Sequence, residues 1–130
     1  MRLAIPVWND RVSPVFDTAN CLMLMDVANG VEQGRQLVDV AQASFPAQRA
    51  RRLAELEVSI LICGAISRPL AGLVSTAGIV VIPWVSGALD EVVRAFLADR
   101  LSNPRWRMPG CAGKRQRQRG GRGKSNWGSR

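Results

Sequence analysis

Apolar residues follow two rhythms along this chain. Leu3-Ala4-Ile5-Pro6-Val7, Leu22 to Val27, Val58 to Cys63 and Ile79 to Ile82 are short runs with the length and branching of strands. The last two show almost no polar alternation, which predicts burial on both faces. Val31 to Val40 pairs with the second run across Asn29-Gly30, because both turn residues tolerate positive φ. Pro6 donates no hydrogen, so the first strand must end there or turn that position away from a partner.

The other rhythm is helical. Ser44 is placed to cap a helix with Pro46 in its first turn and a thin face of Ala47, Ala50, Leu53, Ala54 and Leu56. Ser67 caps a second helix, with Pro69 in its first turn, Leu70, Ala71, Leu73 and Val74 to bury, and Gly78 as its stop. Ser86 opens a third, whose Leu89, Val92, Val93, Phe96 and Leu97 keep the amphipathic spacing, with Asp90 and Glu91 in the first turns and Arg100 near the end. An early antiparallel ribbon followed by helix, strand, helix, strand, helix predicts an α/β fold. Its sheet is mixed and approximately five-stranded, covered by helices, with right-handed crossovers in its parallel half.

The rhythm stops near Leu101. Residues 101–130 hold nine Lys and Arg and no Asp or Glu, a side-chain charge of +9, while residues 1–100 carry nine bases against ten acids, or −1, so the net +8 belongs to the end of the chain. The expected organisation is a compact unit over 1–101, a Cys-containing connector over 102–113, and a basic, disordered tail over 114–130. The longest apolar run, Gly78 to Val85, is far below the roughly 20 residues needed to cross a bilayer. No secretory signal opens the chain, so cytoplasmic residence without membrane attachment is expected.

The chain has no histidine, which removes Ser-His-Asp and Cys-His catalysis and mixed Cys and His zinc sites. Cys21, Cys63 and Cys111 lie far apart in sequence and are expected to be reduced. Cys63 closes a buried strand and reads either as an inert interior thiol or as a thiolate stabilised by the next helix amino terminus. Cys21 reads as packing. Cys111 has no apolar periodicity around it and is either incidental or a metal ligand. At the carboxyl ends of the strands, Cys63-Gly64-Ala65-Ile66-Ser67-Arg68 and Pro83-Trp84-Val85-Ser86-Gly87 could offer amides to an anion, or could be ordinary capped turns. Trp8 and Trp84 read as lids on the core or as walls of a crevice. Asp10 and Asp17 raise magnesium-assisted hydrolysis, although turn formation accounts for both.

Three segments carry a resemblance: Ile5-Pro6-Val7-Trp8-Asn9-Asp10-Arg11-Val12-Ser13-Pro14-Val15-Phe16-Asp17, Leu61-Ile62-Cys63-Gly64-Ala65-Ile66-Ser67-Arg68-Pro69-Leu70, and Gly78-Ile79-Val80-Val81-Ile82-Pro83-Trp84-Val85-Ser86-Gly87. Together they resemble the dinitrogenase iron-molybdenum cofactor biosynthesis family, and Met108-Pro109-Gly110-Cys111 resembles the end of one subgroup. The resemblance implies a ribonuclease H-like three-layer fold and no catalysis. It also implies binding, storage or transfer of an iron-sulfur cluster or iron-molybdenum cofactor precursor during metallocluster assembly for nitrogen fixation. Mapped onto this chain, the cofactor would meet Asn9, Arg11, Ser13, Cys63, Gly64, Ser67, Arg68, Ser86 and Gly87, with Cys63 and Cys111 as metal ligands. Three cysteines cannot fill a four-thiolate shell, which suits temporary carriage, or completion in a homodimer or by an exogenous thiol. Expected partners are metallocluster donor or acceptor proteins, with polyanion contact through the basic tail. The alternatives are a nucleic-acid-binding module using that tail and a magnesium-dependent phosphoesterase.

Overall fold

The computed structural model describes residues 1–98; Arg100, the 102–113 connector, Cys111 and the 114–130 tail lie outside the described residues. Six strands and three helices follow one another as β1 (Arg2–Trp8), β2 (Arg11–Val12), β3 (Cys21–Ala28), β4 (Val31–Asp39), α1 (Pro46–Glu55), β5 (Ile60–Ile62), α2 (Arg68–Thr76), β6 (Val80–Ile82) and α3 (Leu89–Leu97), with a 3-10 turn at Phe16–Thr18. The main sheet runs β4-β3-β1-β5-β6, antiparallel on the β3 and β4 side and parallel on the β5 and β6 side. β2 folds back on β1 as a sixth, two-residue strand.

Strand parity builds the three layers. Leu3, Ile5, Met23, Met25, Ile60 and Ile62 face α3 and its Val92, Val93 and Phe96. Ala4, Leu22, Leu24, Leu61 and Cys63 face Leu53 of α1 and Leu70 and Val74 of α2. Each central strand thus buries both of its sides, as its unbroken apolar sequence demands. Asn29 and Gly30 take φ of 55° and 75°, the left-handed pair that a tight hairpin needs. β1 runs through Pro6, whose carbonyl accepts the Ser13 N–H at 2.8 Å. The N–H and C=O of a strand residue point the same way, so the missing donor faces the side where β5 pairing has already ended at Ala4 and Leu61.

Two helix starts differ from the expected serine caps. α1 is preceded by Phe45, whose N–H donates to Gln48 Oε1 at 3.0 Å, so Ser44 is not its cap. α3 begins three residues after Ser86, with Ala88 at the cap position, and the Leu89 N–H donates to the Asp10 carbonyl at 2.9 Å. A neighbouring turn supplies the acceptor that a side chain would otherwise provide. Ser67 does cap α2, its Oγ accepting from the Leu70 N–H at 3.4 Å. The α1 face is less apolar than its sequence suggests, because it buries Arg49. That guanidinium donates to the Phe16 carbonyl at 3.1 Å and lies over the Phe16 ring. Burial lowers its pKa, with the Asp17 charge opposing.

Candidate functional site

Beyond its Pro6 carbonyl, β1 turns back through Asn9 and Asp10, both left-handed at φ of 53° and 61°. These two residues make a tight hairpin, with Val7 opposite Val12 and Trp8 opposite Arg11. The hairpin is sewn to the segment before α3: Val12 N–H donates to the Gly87 carbonyl at 3.0 Å, and Arg11 bridges Ala88. Ser13 is buried, Arg11 and Arg68 are exposed, and Ser86 and Gly87 are half-buried.

The opening loop then closes against the turn after β5. Ala65 N–H donates to the Pro14 carbonyl, and Phe16 N–H to the Ala65 carbonyl, both at 2.8 Å. A β-carbon on Gly64 would lie 2.6 Å from the Pro14 carbonyl oxygen and 2.8 Å from that of Ser13, so glycine is required by the close approach of two backbones. The turn after β6 joins from the other side, Trp84 N–H donating to the Gly64 carbonyl and Val85 N–H to the Cys63 carbonyl, each at 2.9 Å. The α2 amino terminus already holds an anion: the Asp17 carboxylate accepts the Ser67 N–H at 2.8 Å and its hydroxyl at 2.6 Å.

This packing corrects the reading of Cys63 as a crevice thiolate. Cys63 has no exposed surface and packs among Ala4, Phe16, Leu61 and Leu70. Burial first, and then the negative charge of Asp17, push its thiol up to about 12 instead of lowering it. The interior-thiol alternative describes it as folded. Likewise Ser67 spends its amide and hydroxyl on Asp17 and presents neither to an outside anion.

The open space lies on the other side of β1. A groove of about 1160 Å³ runs between the β1–β2 hairpin and the β3–β4 ribbon, with Leu89 at the start of α3 also lining it. Its apolar lining includes Val7, Trp8, Val15, Met23 and Leu37, and its polar lining includes Asn9, Asp10, Ser13 and Arg35. Trp8 and Leu37 are 61% and 67% exposed, so large apolar surfaces face an unfilled concavity. Cys21, half-buried at the start of β3, also lines this groove. Arg35 is engaged there: Glu32 accepts from it at 2.6 and 2.8 Å and Asp90 at 3.0 Å. That pairing holds the Glu32 carboxyl below its ordinary pKa.

Of the residues nominated from sequence, the structure brings Asn9 and Ser13 to the groove and gathers Cys63, Gly64 and Ser67 in the closed junction beside it. Asp10 and Asp17 are not brought together, since Asp10 lines the groove and Asp17 is spent on Ser67. Among the described residues no group of three or more His, Cys, Asp and Glu could hold a metal ion. Cys21, which reads from sequence as packing, lines the groove, and the Asn9-Asp10 turn lies inside what reads as one polar loop. Asn-Asp followed by Arg-Val after an apolar run is itself a hairpin signal, since both turn residues tolerate left-handed φ.

A mixed sheet between helices, with an open groove beside the end of its first strand, defines an α/β domain. The dinitrogenase iron-molybdenum cofactor family model matches residues 1–99, and the chain belongs to that family. Solved structures agree on the fold. The apo orange protein of Desulfovibrio gigas is 22% identical with a TM-score of 0.66, covering 76% of this chain and 88% of that one. A NifB-assigned protein of Thermotoga is 26% identical with a TM-score of 0.60, covering 76% and 89%. A dinitrogenase-assigned protein of Methanocaldococcus jannaschii is 15% identical with a TM-score of 0.64, covering 77% and 90%. A search among curated proteins finds no match. No helix among the described residues is long and apolar enough to cross a membrane.

Proposed function

We propose that this protein is a non-catalytic carrier that holds an iron-sulfur cluster or iron-molybdenum cofactor precursor in the groove beside Cys21 and passes it between metallocluster-assembly partners in the cytoplasm. The observation that carries the reading is the coincidence of the family match over residues 1–99 with a groove whose exposed apolar walls stand next to a half-buried thiol. The groove is large enough for a compact inorganic cluster, and one thiol with a few polar groups favours release over permanent ligation. Arg35 is already paired with Glu32 and Asp90, so positive charge for an anionic cargo has to come from elsewhere in the chain, and residues 101–130 hold nine of its bases. Cys111 remains the second thiol of this proposal. The same reading takes the β4-β3-β1-β5-β6 order as ribonuclease H-like, used here as a binding scaffold.

The test is anaerobic reconstitution of the full chain with iron and sulfide, followed by visible absorption and elemental analysis. The expected result is up to one cluster per chain, reduced by Cys21→Ser and further by Cys21→Ser with Cys111→Ser, and unchanged by Cys63→Ser. A chain that stays colourless, or loading indifferent to both Cys21 and Cys111, overturns the proposal.

A further inference from the structure

The two ends of the main sheet are finished differently. β6 closes one end with three residues, while β4 closes the other with nine and has β3 as its strand neighbour among the described residues. Residues 33–37 and Asp39 of β4 are exposed, and the strand contains no proline. Its hairpin end is blunted by the bulge opposite Asp26 and Val27, where Gln33 Nε2 also donates to the Val31 carbonyl at 3.2 Å. Residues 35–39 keep a regular register with β3, and a regular open edge is a template for another strand.

That register fixes which backbone groups are free. The Val40 N–H donates to the Asn20 carbonyl at 2.9 Å, so the hydrogen-bonded pairs further along are Leu22 with Val38 and Leu24 with Gln36. Arg35, Leu37 and Asp39 alternate with these and point their N–H and C=O groups away from β3. Their side chains share the face of Cys21, Met23 and Met25.

A two-fold partner strand has to match outward residues with outward residues. Centred on Arg35, such a pairing opposes two guanidinium groups; centred on Gln36, it sets Arg35 against Leu37 and Asp39 against Gln33. Centred on Leu37, it sets Leu37 against Leu37 and, on either side, Arg35 against Asp39. The side chains suit that register. Leu37 is exposed, and Asp39 has no basic partner among the described residues, its Oδ1 accepting only the Ala41 N–H at 2.8 Å. Arg35 spends three of its five N–H groups on Glu32 and Asp90, which leaves two. Gly34, which would face Val40 of the other copy, leaves open space where a β-carbon would stand.

We propose that β4 pairs antiparallel with β4 of a second copy about a two-fold axis at Leu37, joining the two sheets into one. Opposed residues share a face, so both grooves open on the same side. Cys21 faces Asp39 across β3 and β4, and the partner's Arg35 then lies two strand spacings, about 10 Å, from Cys21. The pairing takes the edge of β4 and not the groove, so it goes beyond the carrier reading and stands without it. Five residues a copy fall well below the roughly 20 a side of a stable complex, which makes this dimer weak and concentration-dependent.

The experiment follows the full-length, reduced, cluster-free chain by sedimentation equilibrium from about 10 µM to about 1 mM, at about 0.15 M salt to screen the bases of residues 101–130. The expected result is a shift from one chain per particle to two. Asp39→Asn keeps an acceptor for Ala41 but removes the charge, and should weaken pairing about fivefold. Leu37→Asp opposes two carboxylates on the axis and should abolish it. Amide hydrogen exchange on the same samples reads the edge itself. The N–H groups of Arg35, Leu37 and Asp39 should exchange freely when dilute and slow at least about twofold once half of the chains are paired, while those of Gln36 and Val38 stay slow throughout. A chain that remains single over this range overturns the proposal, as does a dimer that tolerates Leu37→Asp or whose edge amides keep exchanging. Edge amides slow at every concentration also overturn it, by giving the edge to a segment of the same chain. Because no cluster is present, failure here leaves the carrier reading to its own test, and failure to load a cluster leaves this one standing.

Discussion

On the β5 and β6 side of β1, glycine, serine and cysteine draw three turns into one hydrogen-bonded knot; on the β3 and β4 side, Trp8, Cys21 and Leu37 line a groove that nothing described fills. The two sides receive the same first strand. What separates them is backbone pairing. Pro14, Ala65, Gly64 and Trp84 satisfy one another, and Asp17 occupies the α2 amino terminus, so on the closed side the amides of Phe16, Ala65, Ser67, Trp84 and Val85 are already taken. On the open side, β4 meets α3 through side chains, Arg35 donating to Asp90 at 3.0 Å, and the groove lies beside that contact. A glycine and serine motif at a strand end is therefore as much a signature of closure as of binding, and the unused concavity has to be found from topology.

Five substitutions test this contrast. The largest effect is expected at Gly64: alanine there meets two backbone carbonyls within 2.8 Å, and overpacking should cost about 3 kcal/mol, read from the denaturation midpoint. Unaltered stability would mean that the junction is looser than described. Asp17→Ala comes next, since it strips the acceptor from the Ser67 amide and hydroxyl, and should destabilise by about 2 kcal/mol.

The third effect depends on pH. The folded Cys63 thiol lies near 12, above the ordinary value of 9.0, so both states are protonated below pH 9 and only the unfolded chain releases this proton above it. Stability should fall between pH 9 and about 12 with a slope of about 1.4 kcal/mol per pH unit from this group. The chain has no Tyr, and its lysines, Lys114 and Lys124, lie outside the described residues. Cys63→Ala should therefore flatten the slope even if it lowers stability at neutral pH; an unchanged slope would show that the thiol is not held neutral by burial. The smallest effect on stability is expected in the groove, where Trp8→Ala and Leu37→Asp act on exposed side chains and should shift stability by no more than about 0.5 kcal/mol. Both should nonetheless weaken cluster retention measured by gel filtration under nitrogen.

The layers were legible in the chain because strand parity and helical spacing are local: Leu3 and Ile5 against Ala4, or Val92, Val93 and Phe96 along one face, follow from periodicity alone. The Asn29-Gly30 hairpin and the Ser67 cap were readable for the same reason. Ser44 and Ser86 misled because α1 starts one residue later, with Phe45 as its cap and the Phe45 N–H held by Gln48 Oε1, and because the Leu89 N–H of α3 finds the Asp10 carbonyl in a distant turn. The site was half legible. Asn9 and Ser13 do reach the groove, but Cys21 could be recognised only after β3 was placed between β1 and the β4 edge. Cys63 was drawn toward function by its position at a strand end, and the depth that makes it inert comes from Phe16 and Leu70, contributed by segments on either side of it in sequence.

The most direct measurement is thiol footprinting of the full chain, alkylated under nitrogen before and after loading with iron and sulfide. The account predicts that Cys21 reacts in the empty protein and is protected in the loaded one, while Cys63 stays unreactive in both. Cluster absorption that develops with Cys21 still alkylated at its original rate would contradict it.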